Sequence, residues 1–190
     1  MKKNICFILF LILAANLYSN PNKELVVAAS KGNLSKVKSL ITKGANVNLN
    51  FNGVSALLVA CAKGYYSIAK FLINKNANVN VSDRRGITSL MASAANGRYR
   101  IFSLLISKGA NVNASDKRGR SVLLYAVKGR RSGVRKMIVR KLIKSGSNVN
   151  AQDNQGYSAL MFASSQGKIG VVSELLKVNA KLNLKLKQYN

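Results

Sequence analysis

From Ser82 to Ala114 the apolar residues fall into two short helical stretches, bounded by polar residues that form turns. Asp83-Arg84-Arg85-Gly86 reads as a turn, with glycine where positive φ is needed. Thr88 follows as a helix N-cap, and Leu90, Met91, Ala94 and Ala95 fall on the buried side of the helix it opens. Asn96-Gly97 ends that helix, because both residues accept the left-handed conformation of a cap. A second helix carries Ile101, Leu104 and Leu105 on one face, and Lys108-Gly109 closes it. Ala110 to Ala114 then leads into another turn.

The same grammar recurs along the chain. Asn46-Val47-Asn48, Asn78-Val79-Asn80, Asn111-Val112-Asn113, Asn148-Val149-Asn150 and a degraded Lys181-Leu182-Asn183 have central residues 32, 33, 37 and 33 apart. Gly53, Gly86, Gly119 and Gly156 form a second series, spaced 33, 33 and 37. Two independent markers that drift together define a repeat. The segments Gly53-Val54-Ser55-Ala56-Leu57, Gly119-Arg120-Ser121-Val122-Leu123 and Gly156-Tyr157-Ser158-Ala159-Leu160 match the unit from Ser82 to Ala114.

With these motifs the chain resembles the ankyrin repeat family, whose unit runs roughly D-x-x-G-x-T-P-L-H-x-A-A-x-x-G, a second helix, then G-A-x-x-N. The resemblance covers about residues 22–185. It implies an all-α solenoid of stacked helix-turn-helix units with β-turn fingers, in about five repeats: 22–48, 49–81, 82–114, 115–151 and 152–185, with a short tail at 186–190. The first lacks the turn segment and reads as an N-terminal capping repeat. One helix pair cannot bury its apolar face alone, so such a fold is stable only as an array. The family's Thr-Pro-Leu-His becomes Ser55-Ala56-Leu57-Leu58, Thr88-Ser89-Leu90-Met91, Ser121-Val122-Leu123-Leu124 and Ser158-Ala159-Leu160-Met161. The capping hydroxyl and the leucine are kept, and proline and histidine are lost. That histidine helps hydrogen-bond one repeat to the next in the family, so apolar packing is expected to substitute here.

Ahead of the repeats, Lys2 and Lys3 precede an apolar run from Ile5 to Ala15 and a small, polar stretch from Asn16 to Asn22. This is the layout of a signal peptide, expected at 1–19 with cleavage after Ser19. The run is too short to cross a bilayer, which takes about 20 apolar residues. An exported protein follows as the expectation, with the periplasm as destination and secretion as the alternative. Past residue 19 only Cys61 remains, inside an apolar helical stretch, where it reads as a small buried hydrophobe.

Composition then narrows the chemistry. Among the 190 residues there is no His, and the five carboxylates, Glu24, Asp83, Asp116, Asp153 and Glu174, are scattered. Histidine-dependent nucleophilic catalysis and imidazole metal sites are excluded, and no carboxylate pair suggests acid–base work. No phosphate-cradling glycine motif and no metal-ligand cluster is present. An enzyme, a cofactor and a small-molecule substrate are therefore not expected. Tyr65, Tyr66, Tyr99, Tyr125 and Tyr157 read as core or rim packing and are not interleaved with the basic residues as a stacking platform would be.

Against five acids stand 31 Lys and Arg, a formal net charge of +26. All ten Arg lie between Arg84 and Arg140, a window with four Lys and one carboxylate. Arg84 and Arg85 occupy one turn tip, and Lys117, Arg118 and Arg120 the next. The fourth repeat is four residues too long and holds Lys128, Arg130, Arg131, Arg135, Lys136, Arg140, Lys141 and Lys144. Four residues are about one helical turn, so a longer second helix or interhelical loop is expected near Arg131 to Val134. On a helix, Lys136, Arg140 and Lys144 align opposite Val134, Ile138 and Leu142.

Charge runs are ordinarily solvated faces. A solvated face remains the alternative for any single residue, whereas drift in composition leaves the scarcity of acids and the confinement of Arg unexplained. In the family the turn tips and first helices commonly form the binding surface. The resulting expectation is a monomeric, non-catalytic interaction module for an acidic protein. The alternative is attachment to an anionic lipid, polysaccharide or nucleic acid. The candidate contacts are Arg84, Arg85, Lys117, Arg118, Arg120, Lys128, Arg130, Arg131, Arg135, Lys136, Arg140 and Lys144.

Overall fold

The computed structural model describes residues 21–51, 53–129 and 131–186. The leader expected at 1–19, Arg130 and the tail beyond Leu186 lie outside the described residues. Among the described residues the helices come in five successive pairs: α1 (Pro21–Ser30) and α2 (Leu34–Thr42), α3 (Ala56–Lys63) and α4 (Tyr66–Asn74), α5 (Ser89–Ala95) and α6 (Tyr99–Ser107), α7 (Val122–Lys128) and α8 (Ser132–Lys144), α9 (Ala159–Ser165) and α10 (Ile169–Leu176). Each first helix packs on the first helix of the next pair, and each second helix on the next second helix. The result is a two-layered stack that grows one pair at a time. No helix among the described residues is long and apolar enough to cross a membrane.

Local chemistry explains where the first helices begin. The hydroxyls of Ser55, Thr88, Ser121 and Ser158 accept the backbone N–H of Leu58, Met91, Leu124 and Met161, as N-caps do. Gly64 ends α3 at φ +94°, a backbone geometry costly for any residue with a Cβ. Between pairs the chain folds back as a finger. The first finger is a two-residue ladder, β1 (Asn50–Phe51) on β2 (Val54–Ser55), and the later ones close through single bridges at Ser82–Thr88, Ser115–Ser121 and Gln152–Ser158.

The core runs unbroken through all five pairs. Leu57, Leu90, Leu123 and Leu160 bury one row, and Ile68, Ile101, Ile138 and Val171 another. Ala95, expected on the buried side of α5, is only half-buried, at the rim of a surface groove. At the positions where the family carries histidine, Leu58, Met91 and Leu124 are buried and Met161 is half-buried. Apolar packing therefore does occupy those sites, but it is not all that joins the repeats. Asparagines form a ladder between them. Asn48 accepts the N–H of Asn78 at 2.7 Å and donates to the Asn76 carbonyl at 3.1 Å. Asn80 does the same with Asn111 and Gly109, and Asn113 with Asn148 and Gly146. Asn150 accepts from Lys181.

The extra residues of the fourth repeat lengthen its second helix. α8 has 13 residues where α2, α4 and α6 have 9. Gly129, which links α7 to this helix, is pressed against its neighbours, and a Cβ there would lie 3.0 Å from the Ala126 carbonyl and 3.1 Å from that of Ala95.

Candidate interaction surface

Three carboxylates build the fingers. Oδ1 of Asp83 accepts the N–H groups of Arg85 and Ile87, Oδ1 of Asp116 those of Arg118 and Arg120, and Oδ1 of Asp153 those of Gln155 and Tyr157. Backbone bonds then chain the tips together: Lys117 donates to the Arg85 carbonyl and Asn154 to that of Arg118, both at 2.9 Å. The tip cations are thereby held in a fixed row. Arg84, Arg85, Lys117 and Arg118 are all exposed.

Arg120 has a different position. Its guanidinium lies 2.6 Å from the buried Asp116 carboxylate and 5.1 Å from the centre of the Tyr125 ring. The Tyr125 hydroxyl donates to the same carboxylate at 2.8 Å. Burial works against ionisation of Asp116, but the Arg120 side chain, the Tyr125 hydroxyl and two backbone N–H groups outweigh it and lower its pKa. Burial, and then the bond to Asp116, push the Tyr125 hydroxyl up to about 12. Arg120 thus cements a finger to a first helix and is not a free tip cation.

The stripe on α8 is divided in the same way. Arg140 grips Glu174 of α10 in a two-bond fork at 2.8 and 2.9 Å, while Lys136 and Lys177 each stand 3.5 Å away. The Arg140 fork holds Glu174 down at about 2. Lys144 is exposed and makes no ion pair among the described residues. Ile138 and Leu142 are buried as the register predicts, and Val134 is half-buried. Arg135 turns back to the Gly129 carbonyl at 2.7 Å, and Arg131 packs over Gly97 of the preceding repeat.

Glu24 is paired with Lys36 at 3.1 Å. All five acids of the chain therefore have partners within it. The exposed fingers present cations, and their three acids, Asp83, Asp116 and Asp153, are each tied to their own turn.

One register position of the first helices reads Val27, Val59, Ala92, Tyr125 and Phe162, passing from aliphatic to aromatic along the stack. A groove of about 380 Å³ runs beside Val59, Ala62, Ile87, Ala92 and Ala95, with Lys63, Arg85, Tyr125 and the Arg85-paired Asp83 at its edges. Further along, Lys128 and Lys168 both cap the Phe162 ring, at 4.7 and 4.8 Å. Sequence reasoning missed Lys168, whose ammonium also donates to the Val127 carbonyl 41 residues away. It also missed Glu174 as a hub. The available signal was its separation of 34 residues from Arg140, one repeat length. Of the expected rim tyrosines, Tyr65 and Tyr157 are exposed and Tyr125 is covered by Arg120.

Among the described residues no group of three or more Cys, Asp or Glu side chains is placed to hold a metal ion. Cys61 is buried, and burial pushes its thiol up to about 12.

Stacked helix pairs with chained fingers define a repeat solenoid that offers a surface to partners. A family model for ankyrin repeats in three copies matches residues 2–84, 25–116 and 90–186, and the chain belongs to the ankyrin repeat family. It is a protein–protein interaction module of a typically non-catalytic family. Comparison with curated proteins finds no match.

Proposed function

We propose that the chain binds an acidic protein segment along its first helices and fingers, with an apolar side chain of that segment seated in the groove beside Val59 and Ala92. The observation that carries this reading is the fate of the acids: with all five engaged internally, the exposed charge at the groove is left to Lys63 and Arg85, and that of the next recess along the fingers to Arg118 and Lys128. Cations in a fixed row steer an acidic partner and set its register, and the apolar groove supplies contact that salt does not screen. The pattern at 1–19 supports export, with the periplasm as the destination, and N-terminal sequencing of the mature protein is then expected to begin at Asn20.

Selection of random displayed peptides on the folded chain tests the partner's chemistry. Enriched sequences are expected to carry Asp or Glu beside a large aliphatic or aromatic residue. Enrichment without acidic bias would refute the reading. If the chain retains only nucleic acid, polysaccharide or lipid, and loses it near physiological salt, the basic face is a polyanion anchor instead.

A further inference from the structure

The edge of the stack away from the fingers carries a second basic feature, separated from them by the length of the first helices. There the opening turns of α8 and α10 border a recess of about 210 Å³, lined by Ser132, Arg135, Lys136, Lys168 and Gly170, with Ile169 at its mouth. We propose that this recess binds a phosphate-class oxyanion.

Its cations are fixed from behind. Arg135 is held by the Gly129 carbonyl and Lys168 by the Val127 carbonyl at 2.8 Å, so both side chains are tethered to the end of α7 with donors to spare. Among the described residues neither forms an ion pair with a carboxylate. Lys136 shares Glu174 with two other cations, and the Arg140 fork already satisfies that carboxylate. Three cationic side chains from two repeats thus converge on the recess, and the one carboxylate near them, Glu174, is shared and already gripped by Arg140. Desolvation, followed by repulsion from Arg135 and Lys128, lowers the pKa of Lys168, the strain that a bound anion relieves.

The recess also owes its form to the inserted turn. Lengthening α8 is what adds Ser132 and Arg135 to this edge, and the second helices α2, α4 and α6 stop short of an equivalent. Neither α8 nor α10 spends a side chain on capping its first turn, and neither has an acid there. Tetrahedral oxyanions match this mixture of guanidinium, ammonium and hydroxyl donors. Ile169, 80% exposed at the mouth, offers apolar contact to an organic group bearing the phosphate.

Titration of the full chain with inorganic phosphate, followed by amide NMR at ionic strength held constant with chloride, tests the site. Saturable shifts are expected at 132–136 and 168–171. Shifts of equal size at Arg84, Arg85, Lys117 and Arg118, or the same shifts with chloride alone, would overturn the proposal. Lys136→Gln spares both carbonyl tethers and loses only a half-exposed pair with Glu174, so it should shift the melting temperature little and weaken phosphate binding roughly tenfold or more, as loss of a charged contact does. Undiminished binding in that variant would also overturn it, whereas Lys75→Gln, just past the end of α4, should bind as the parent does. Vesicles containing phosphatidic acid distinguish the source. Sedimentation that inorganic phosphate reverses at the same amides assigns a lipid headgroup, and saturable phosphate binding without sedimentation assigns a small phosphate ester.

Discussion

Asp83 and Asp116 occupy the same position in successive fingers and accept the same pair of backbone bonds, yet their side-chain surroundings differ. The arginine on Asp83 keeps 76% of its side-chain surface exposed, and the one on Asp116 only 25%. An exposed ion pair contributes little, whereas removing one partner of a buried one strands the other. Asp116→Ala, which also strands the Tyr125 hydroxyl, should therefore cost about 3 kcal/mol. Asp83→Ala should cost nearer to about 1 kcal/mol, chiefly from the lost turn bonds. Urea unfolding midpoints of the two variants provide the comparison. Acidity acts on the same groups. The pKa values of Asp116 and Glu174 are lowered in the folded chain, Glu174 to about 2. Their stabilisation is thus complete above the ordinary carboxylate range and is lost as pH falls through the folded values. Melting temperature should hold steady down to about pH 5 and drop below it, less steeply in Glu174→Gln, and identical profiles for parent and variant would refute this role.

At the level of elements, the second asparagine of each Asn-Val-Asn motif joins neighbouring repeats. Asn80→Ala removes two inter-repeat hydrogen bonds, to Asn111 and Gly109, and should cost about 1 to 2 kcal/mol in thermal or urea unfolding. Asn74→Ala, on the exposed side of α4, serves as the control and should be near neutral. The ladder shows where sequence reasoning stops. Caps at Ser55, Thr88, Ser121 and Ser158 were legible because a cap and its partner lie three residues apart. The asparagines were legible only as markers of period, because their partners lie about one repeat away and on backbone atoms that carry no sequence signature. The longer α8 followed from simple counting. The Lys136–Arg140–Lys144 stripe was correctly placed on one helix, but its meeting with Glu174 depends on how two second helices abut, which no pattern within a single repeat specifies.

Taken whole, the molecule is an array in which each pair is stabilised by its neighbours, so its surface is continuous and no single repeat owns it. The formal net charge is +26, and with all five acids engaged internally no acidic patch among the described residues balances it. That asymmetry, more than any one residue, makes an acidic partner the reading favoured by the first helices and fingers. The most direct measurement is capture of partners from envelope and secreted fractions, washed through rising salt. The parent chain is compared with one carrying Arg84→Glu, Arg85→Glu, Lys117→Glu and Arg118→Glu, positions exposed enough to leave the fold intact. The account predicts a defined acidic protein that stays on the parent near about 0.5 M salt, where the Debye length is only about 4 Å, and that the reversed chain fails to hold. Retention of the same protein by both chains would contradict it.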